Sequence, residues 1–153
     1  MPQKPDWPAL KPDGGIVHVT RDMLIALAVK PFENKNRREE LAAKLFCWMN
    51  EISVFGFAVT VWVDGSFATT KEAPADIDIC VLLTDKDLRS LDNGQYARVT
   101  QLLDRSYAKT RYDLDLYVVD AKDVLEQGSW QELFGKGHDR ITVKGIFALK
   151  AQE

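Results

Sequence analysis

At 153 residues the chain is long enough for one domain with a buried core, and its 46% hydrophobic and 28% charged content reads as globular. A net charge of −3 supplies no global attraction for nucleic acid or an anionic membrane, although a local basic groove is compatible with it. Cys47 and Cys80 stand alone in unlike contexts, His18 and His138 have no Cys partners at metal spacing, no apolar run approaches the ~20 residues of a membrane helix, and no signal-peptide core opens the chain; these points exclude a disulfide scaffold and a zinc knuckle and lead us to expect a cytoplasmic protein with no membrane partner.

Residues 1–15, MPQKPDWPALKPDGG, hold four of the six prolines and predict an extended arm, with 16–153 as a single domain. Ile16 to Val19 predicts a short strand. Thr20 is placed to cap a helix through Val29, which Pro31 stops. From Asn36 to Ser53, Leu41, Leu45, Trp48, Met49 and Ile52 recur at helical spacing, and the charge run Arg37, Arg38, Glu39, Glu40 and Lys44 reads as a solvated face. Gly56 ends that helix. Phe57 to Val63 predicts the first central strand, broken by Gly65-Ser66. Phe67 to Thr70 fits one helical turn, Lys71 to Ala75 a loop, and Asp76 to Leu83 the second strand. A short helix over Asp85 to Leu91, a turn at Asn93-Gly94 and a helix from Gly94 to Tyr107 follow. Tyr112, Leu114, Leu116 and Val118 alternate with Asp113, Asp115 and Tyr117, which predicts a third strand over Arg111 to Val119. Asp120 is placed to cap a helix over Lys122 to Gln127. Ser129 and Glu132 have capping-box spacing, 135–140 reads as a loop, and 141–149 as a last strand.

The informative stretch is VWVDGSFATTKEAPADIDICVLL, Val61 to Leu83. Successive residues of a strand face opposite ways, so Asp76 and Asp78 share one face. Two carboxylates side by side repel unless a cation lies between them, and Mg²⁺ takes hard oxygen ligands in fixed geometry. A strand edge kept soluble by charge is the competing explanation, but it leaves the pairing with Gly65-Ser66 unexplained. Glycine lets backbone approach a ligand closely, and exposed N–H groups in such a turn bind phosphate. Asp64 reads as a cap of that turn, and Cys80 as packing.

Gly-Ser followed after nine residues by Asp-hydrophobic-Asp-hydrophobic resembles the signature of the DNA polymerase β-like nucleotidyltransferase superfamily. The longer string GSFATTKEAPADID, with the Asn-x-x-Arg helix start near Asn34 to Leu41 and Lys144-Gly-Ile146, is similar to a group of short bacterial proteins that carry this signature. The resemblance implies an α/β (α+β) minimal nucleotidyltransferase fold, a mixed central sheet with helices packed mainly on one face and the carboxylates on the other. It implies two Mg²⁺ ions held by Asp76, Asp78 and a third carboxylate from the next strand. Asp115, flanked by Leu114 and Leu116, fits that position; Asp113 is the second choice. Gly65 and Ser66 would hold a triphosphate, and Lys71 either neutralises a phosphate or is a solvated loop lysine. Arg140 and Lys144 are weaker nucleotide contacts. The implied activity is transfer of a nucleoside monophosphate from a nucleoside triphosphate, with ATP the expected donor, to a hydroxyl of a protein, RNA or small molecule. Small members of the superfamily act in toxin–antitoxin and phage-defence systems, so a partner protein or homodimer is expected to supply the acceptor surface. The alternative is a non-catalytic nucleotide-binding or antitoxin-like module of the same fold. A metal-dependent nuclease would want a carboxylate-x-Lys pattern on the metal strand, and Ile79 and Cys80 stand there instead.

Overall fold

The computed structural model describes residue 10 and residues 15–56, 58–123, 125, 127–128 and 145–152. Most of the proline-rich arm, the Ser129–Glu132 capping box, the 135–140 loop with His138 and Arg140, and Lys144 lie outside the described residues.

The architecture is mixed α/β. Strands β1 (Ile16–His18), β2 (Thr60–Asp64), β3 (Ile77–Leu83), β4 (Leu114–Asp120) and β5 (Ile146–Lys150) form one sheet in the order β1-β5-β2-β3-β4. β5 runs parallel to β1 and antiparallel to β2, β2 is antiparallel to β3, and β3 is parallel to β4. Helices α1 (Arg21–Ala28), α2 (Asn36–Ser53), α3 (Asp85–Arg89), α4 (Asn93–Leu102) and α5 (Arg105–Tyr112) complete the described elements.

Alternation divides the sheet into two faces. Val61, Val63, Ile77, Ile79, Val81, Leu114, Leu116, Phe147 and Leu149 join the buried side chains of α1, α2, α4 and α5 in the main core. The strand residues between them, Trp62, Cys80, Leu82, Val119, Ile146 and Ala148, form a second buried cluster on the opposite face. The helices therefore pack on one face, the arrangement the resemblance implies. Cys80 is fully buried in the second cluster, which suits packing. The α2 stripe of Leu41, Leu45, Trp48, Met49 and Ile52 is wholly buried; each such side chain contributes roughly 1.5–3 kcal/mol. Trp48 Nε1 donates to Leu102 O at 2.9 Å and ties α2 to α4.

Local signals set the helix ends. Thr20 accepts the Met23 N–H and caps α1, as expected. Thr84–Asp87 and Asp92–Gln95 are reciprocal capping boxes for α3 and α4. Asp120 Oδ1 accepts the Lys122 N–H at 2.9 Å and opens the turn after β4.

Two expectations fail between residues 94 and 113. The single helix over Gly94 to Tyr107 is two helices, because the Asp104 side chain captures the Tyr107 N–H at 2.8 Å and starts a second one. The third strand begins at Leu114 rather than Arg111. Residues 105–112 remain helical until Asp113 adopts a left-handed conformation at φ 53° and turns the chain into β4.

That turn also separates the two aspartates. The Asp113 carboxylate accepts from Lys44 Nζ at 2.7 Å and Arg37 Nη1 at 3.3 Å, both on α2. The Lys44 hydrogen bond, reinforced by Arg37, holds its pKa below the ordinary carboxylate value. Asp113 thus joins the helical layer, whereas Asp115 sits on the opposite face of the sheet. A lowered folded-state pKa stabilises the fold above the unfolded value of 3.8 and loses that contribution as acid protonates the group. Asp113→Asn, which tolerates the left-handed turn, is expected to lose about 1 kcal/mol at neutral pH. Denaturant titrations from pH 7 to pH 2 should show the gap between wild type and variant closing below about pH 4.

Candidate functional site

The register of the sheet builds the site. Asp64 of β2 pairs with Asp78 of β3, and Asp78 pairs with Asp115 of β4. Cross-strand partners share a face, so three carboxylates form one row across adjacent strands, on the face away from the main core. Asp76, two residues before Asp78 and just outside β3, extends this acidic surface. Asp76, Asp78 and Asp115 are partly buried, and Asp64 is 3% exposed. Asp64 makes no side-chain capping bond to the turn that follows it, so the role of turn cap is not the one it takes. Its place in the row was readable from Val61 and Val63 pointing into the core, which sends Trp62 and Asp64 to the other face.

Gly65-Ser66 opens a 3₁₀ turn, Gly65–Ala68, at the end of β2. Gly65 has φ +72°, and a Cβ built on it would lie 2.7 Å from Asp78 Cγ and closer still to Oδ2. The glycine is needed twice, for its backbone angle and for the room it leaves the Asp78 carboxylate. It follows that Gly65→Val cannot separate nucleotide binding from folding. Gly65→Ala alone is expected to lose about 2–4 kcal/mol from left-handed strain and overpacking; an unfolding midpoint within error of wild type would remove this close packing from the account.

The turn is held from below by Arg38, fully buried on α2. Its guanidinium donates to five backbone carbonyls: Ala28 at 2.8 Å, Phe67 at 2.7 Å, Thr69 at 2.6 Å, Lys71 at 2.6 Å and Ser66 at 3.3 Å. It stacks 3.8 Å from the Phe32 ring centroid and 5.0 Å from that of Phe67. Burial lowers its pKa to about 10, which leaves it a cation at neutral pH. Arg37 donates to the carbonyls of Pro74 and Ala75, immediately before Asp76. The expected solvated face of α2 is therefore the scaffold of both loops that carry the motif. Arg38 lies three residues before Leu41 and seven before Leu45, so helical spacing alone put it on the buried stripe, and its charge masked that signal.

Lys71 offers its carbonyl to Arg38, and its ammonium makes no ion pair with another described residue. Two cations of α5, one turn apart, face the carboxylates instead. Arg105 Nη2 pairs with Asp115 Oδ1 at 2.9 Å and donates to the Tyr117 hydroxyl at 3.0 Å. Lys109 Nζ pairs with Asp76. Asp76 raises the Lys109 pKa most, after which Asp115 and Asp78 add their charges. Asp115 likewise raises that of Arg105. Sequence reasoning missed both, because residues 105–109 straddled a misplaced helix end; an Arg-x-x-x-Lys spacing was the available signal. The mutual repulsion expected of the aspartates is thus offset by cations already in the fold. Among the described residues no group of three or more His, Cys, Asp or Glu side chains is gathered closely enough to hold a metal ion. No helix among them is long and apolar enough to cross a membrane.

A family of unknown function (DUF6932) matches residues 8–150, and the chain belongs to it. No curated protein and no solved structure matches the chain.

Proposed function

We propose that this DUF6932 protein is a Mg²⁺-dependent nucleotidyltransferase of the minimal polymerase β-like fold, moving a nucleoside monophosphate from a nucleoside triphosphate, ATP in the first instance, to a hydroxyl. The observation that carries the reading is the register Asp78–Asp115 on parallel β3 and β4, set directly against the Gly65-Ser66 turn. The donor chemistry suits hard divalent cations, since the candidate ligands are all carboxylates, Asp78 and Asp115 on paired strands and Asp76 just before β3, although in their present ion-paired arrangement they are not gathered around an ion. Asp76, Asp78 and Asp115 would hold them, with Asp64 at the end of the row. Bound there, the cations would polarise the triphosphate and lower the pKa of the acceptor hydroxyl.

The chain's own residues position the reactants. In a trans peptide C=O and N–H point in opposite directions. Arg38, by gathering the carbonyls of Ser66, Phe67 and Thr69, fixes the conformation of the turn from the helical side, and the partly exposed Gly65 and Ser66 at its start would present their N–H groups to a phosphate. The Ser66 hydroxyl and Lys71 ammonium supply further donors to the same anion. In the transfer, the acceptor oxygen forms a bond to the α-phosphorus as the bond to pyrophosphate breaks, and the acceptor proton is released to water. Toxin–antitoxin or phage-defence work, with a partner protein or homodimer completing the acceptor site, is the biological setting the resemblance supports.

A non-catalytic nucleotide-binding module is the second reading. It is favoured by the ion pairs that already engage Asp76 and Asp115. Incubation with labelled nucleoside triphosphates, Mg²⁺ and candidate acceptors tests the two. Pyrophosphate release with a labelled product supports transfer, and nucleotide binding without turnover supports the second reading.

A further inference from the structure

We infer that Lys109 and Arg105 are resident counter-ions of the carboxylate site, holding it in a metal-free form that a divalent cation must displace to enter. This rests on the reading of Asp76, Asp78 and Asp115 as metal ligands and adds the residues that set its occupancy.

Three observations converge. Lys109 and Arg105 are four residues apart on α5 and so lie on one face of that helix. Each pairs with a different member of the acidic surface, Lys109 with Asp76 and Arg105 with Asp115. The helix that carries them runs directly into β4, with only Asp113 between Tyr112 and Leu114, so the cations and Asp115 are fixed to the same short segment. The result is an acidic row on adjacent strands balanced by a basic edge of one helix. A carboxylate already paired with an ammonium or guanidinium is a poorer ligand than a bare one, because the incoming cation must break that pair and tolerate the displaced charge nearby.

The two side chains are suited to exchange rather than to permanent anchoring. Their exposures are 51% for Lys109 and 61% for Arg105, so both can swing into solvent. An exposed pair of this kind contributes only about 0.2–1 kcal/mol. Such a lock is weak enough for a divalent ion to open. Lys71, unengaged by any described carboxylate, remains a separate candidate donor for phosphate.

Calorimetric titration and thermal melting with Mg²⁺ alone, and with Mn²⁺ alone, test this on wild type, Lys109→Met and Arg105→Gln. Methionine keeps the aliphatic stem on a half-exposed helix position, so the fold is expected to persist. The expected result is about fivefold tighter divalent binding in Lys109→Met, with a larger metal-induced rise in melting temperature, and a smaller gain in Arg105→Gln. Binding by Lys109→Met where wild type shows none would support the inference equally. Wild-type and variant affinities that agree would overturn it and leave nucleotidyl transfer standing. Failure of all three proteins to bind either metal would overturn both the inference and the metal-site reading beneath it.

Discussion

Arg38→Met is expected to destabilise the protein by about 3 kcal/mol or more and to abolish nucleotide binding in whatever folded fraction remains. Methionine fills much of the same volume but donates nothing. The carbonyls of Ala28, Phe67, Thr69 and Lys71 would lose the guanidinium, while Ser66 O keeps its bonds from Thr69, and each unsatisfied buried acceptor costs about 1–3 kcal/mol before relaxation. Relief of the desolvated charge offsets part of this, which is why the expected loss is well below the simple total. Arg38→Lys should recover little, since an ammonium has three donors and cannot span carbonyls from residue 28 to residue 71 in one plane. Urea unfolding measures the loss directly, and a midpoint shift worth under 1 kcal/mol at unchanged m-value would show that the turn does not depend on Arg38.

Asp78→Asn is expected to act in the opposite manner, sparing the fold and removing the chemistry. Asparagine keeps the shape that fits beside Gly65. Its amide is a poor ligand for a hard divalent cation, so transfer should fall by at least about a hundredfold, and the Mg²⁺-induced rise in melting temperature should vanish. Because Lys109 and Arg105 already compensate the acidic surface, the metal-free variant should melt within a few degrees of wild type. A variant that keeps its Mg²⁺ response would mean that Asp78 is structural. The same substitution at Asp115 should match Asp78, and at Asp113 should leave the Mg²⁺ response intact.

What could be read from the chain follows the range of the forces involved. The α2 stripe, the β3 alternation and the Thr20 cap are local patterns, and each matches the structure. The expected placement of Asp76 with Asp78 on one face used only the strand period, and β3 begins at Ile77, one residue after Asp76. That Asp113 leaves the strand that carries Asp115 could not be read that way. It depends on Lys44 and Arg37, far back in the sequence, drawing Asp113 into a left-handed turn. Arg38 looked like surface because charge predicts exposure, and only a tertiary cluster of carbonyls makes its burial tolerable. Asp64 looked like a cap because its partner in the row becomes visible only with the register of β2 on β3.

The place of β5 has a consequence for how the chain is made. β5 is the last strand in the chain, yet it lies between β1 and β2, and β1 has it as its sheet neighbour. A ribosome presents β2, β3 and β4 well before it presents β5, and that trio can already pair. Until β5 arrives, β2 is an edge strand of Thr60-Val61-Trp62-Val63 with unmet backbone groups and a bulky apolar side chain, the kind of edge that recruits foreign strands. The carboxylate row sits wholly on β2, β3 and β4, so its framework can form early during synthesis. The chain's most aggregation-prone interval falls just after that, and it ends with insertion of a strand paired across most of the sequence, a slow step in topological terms.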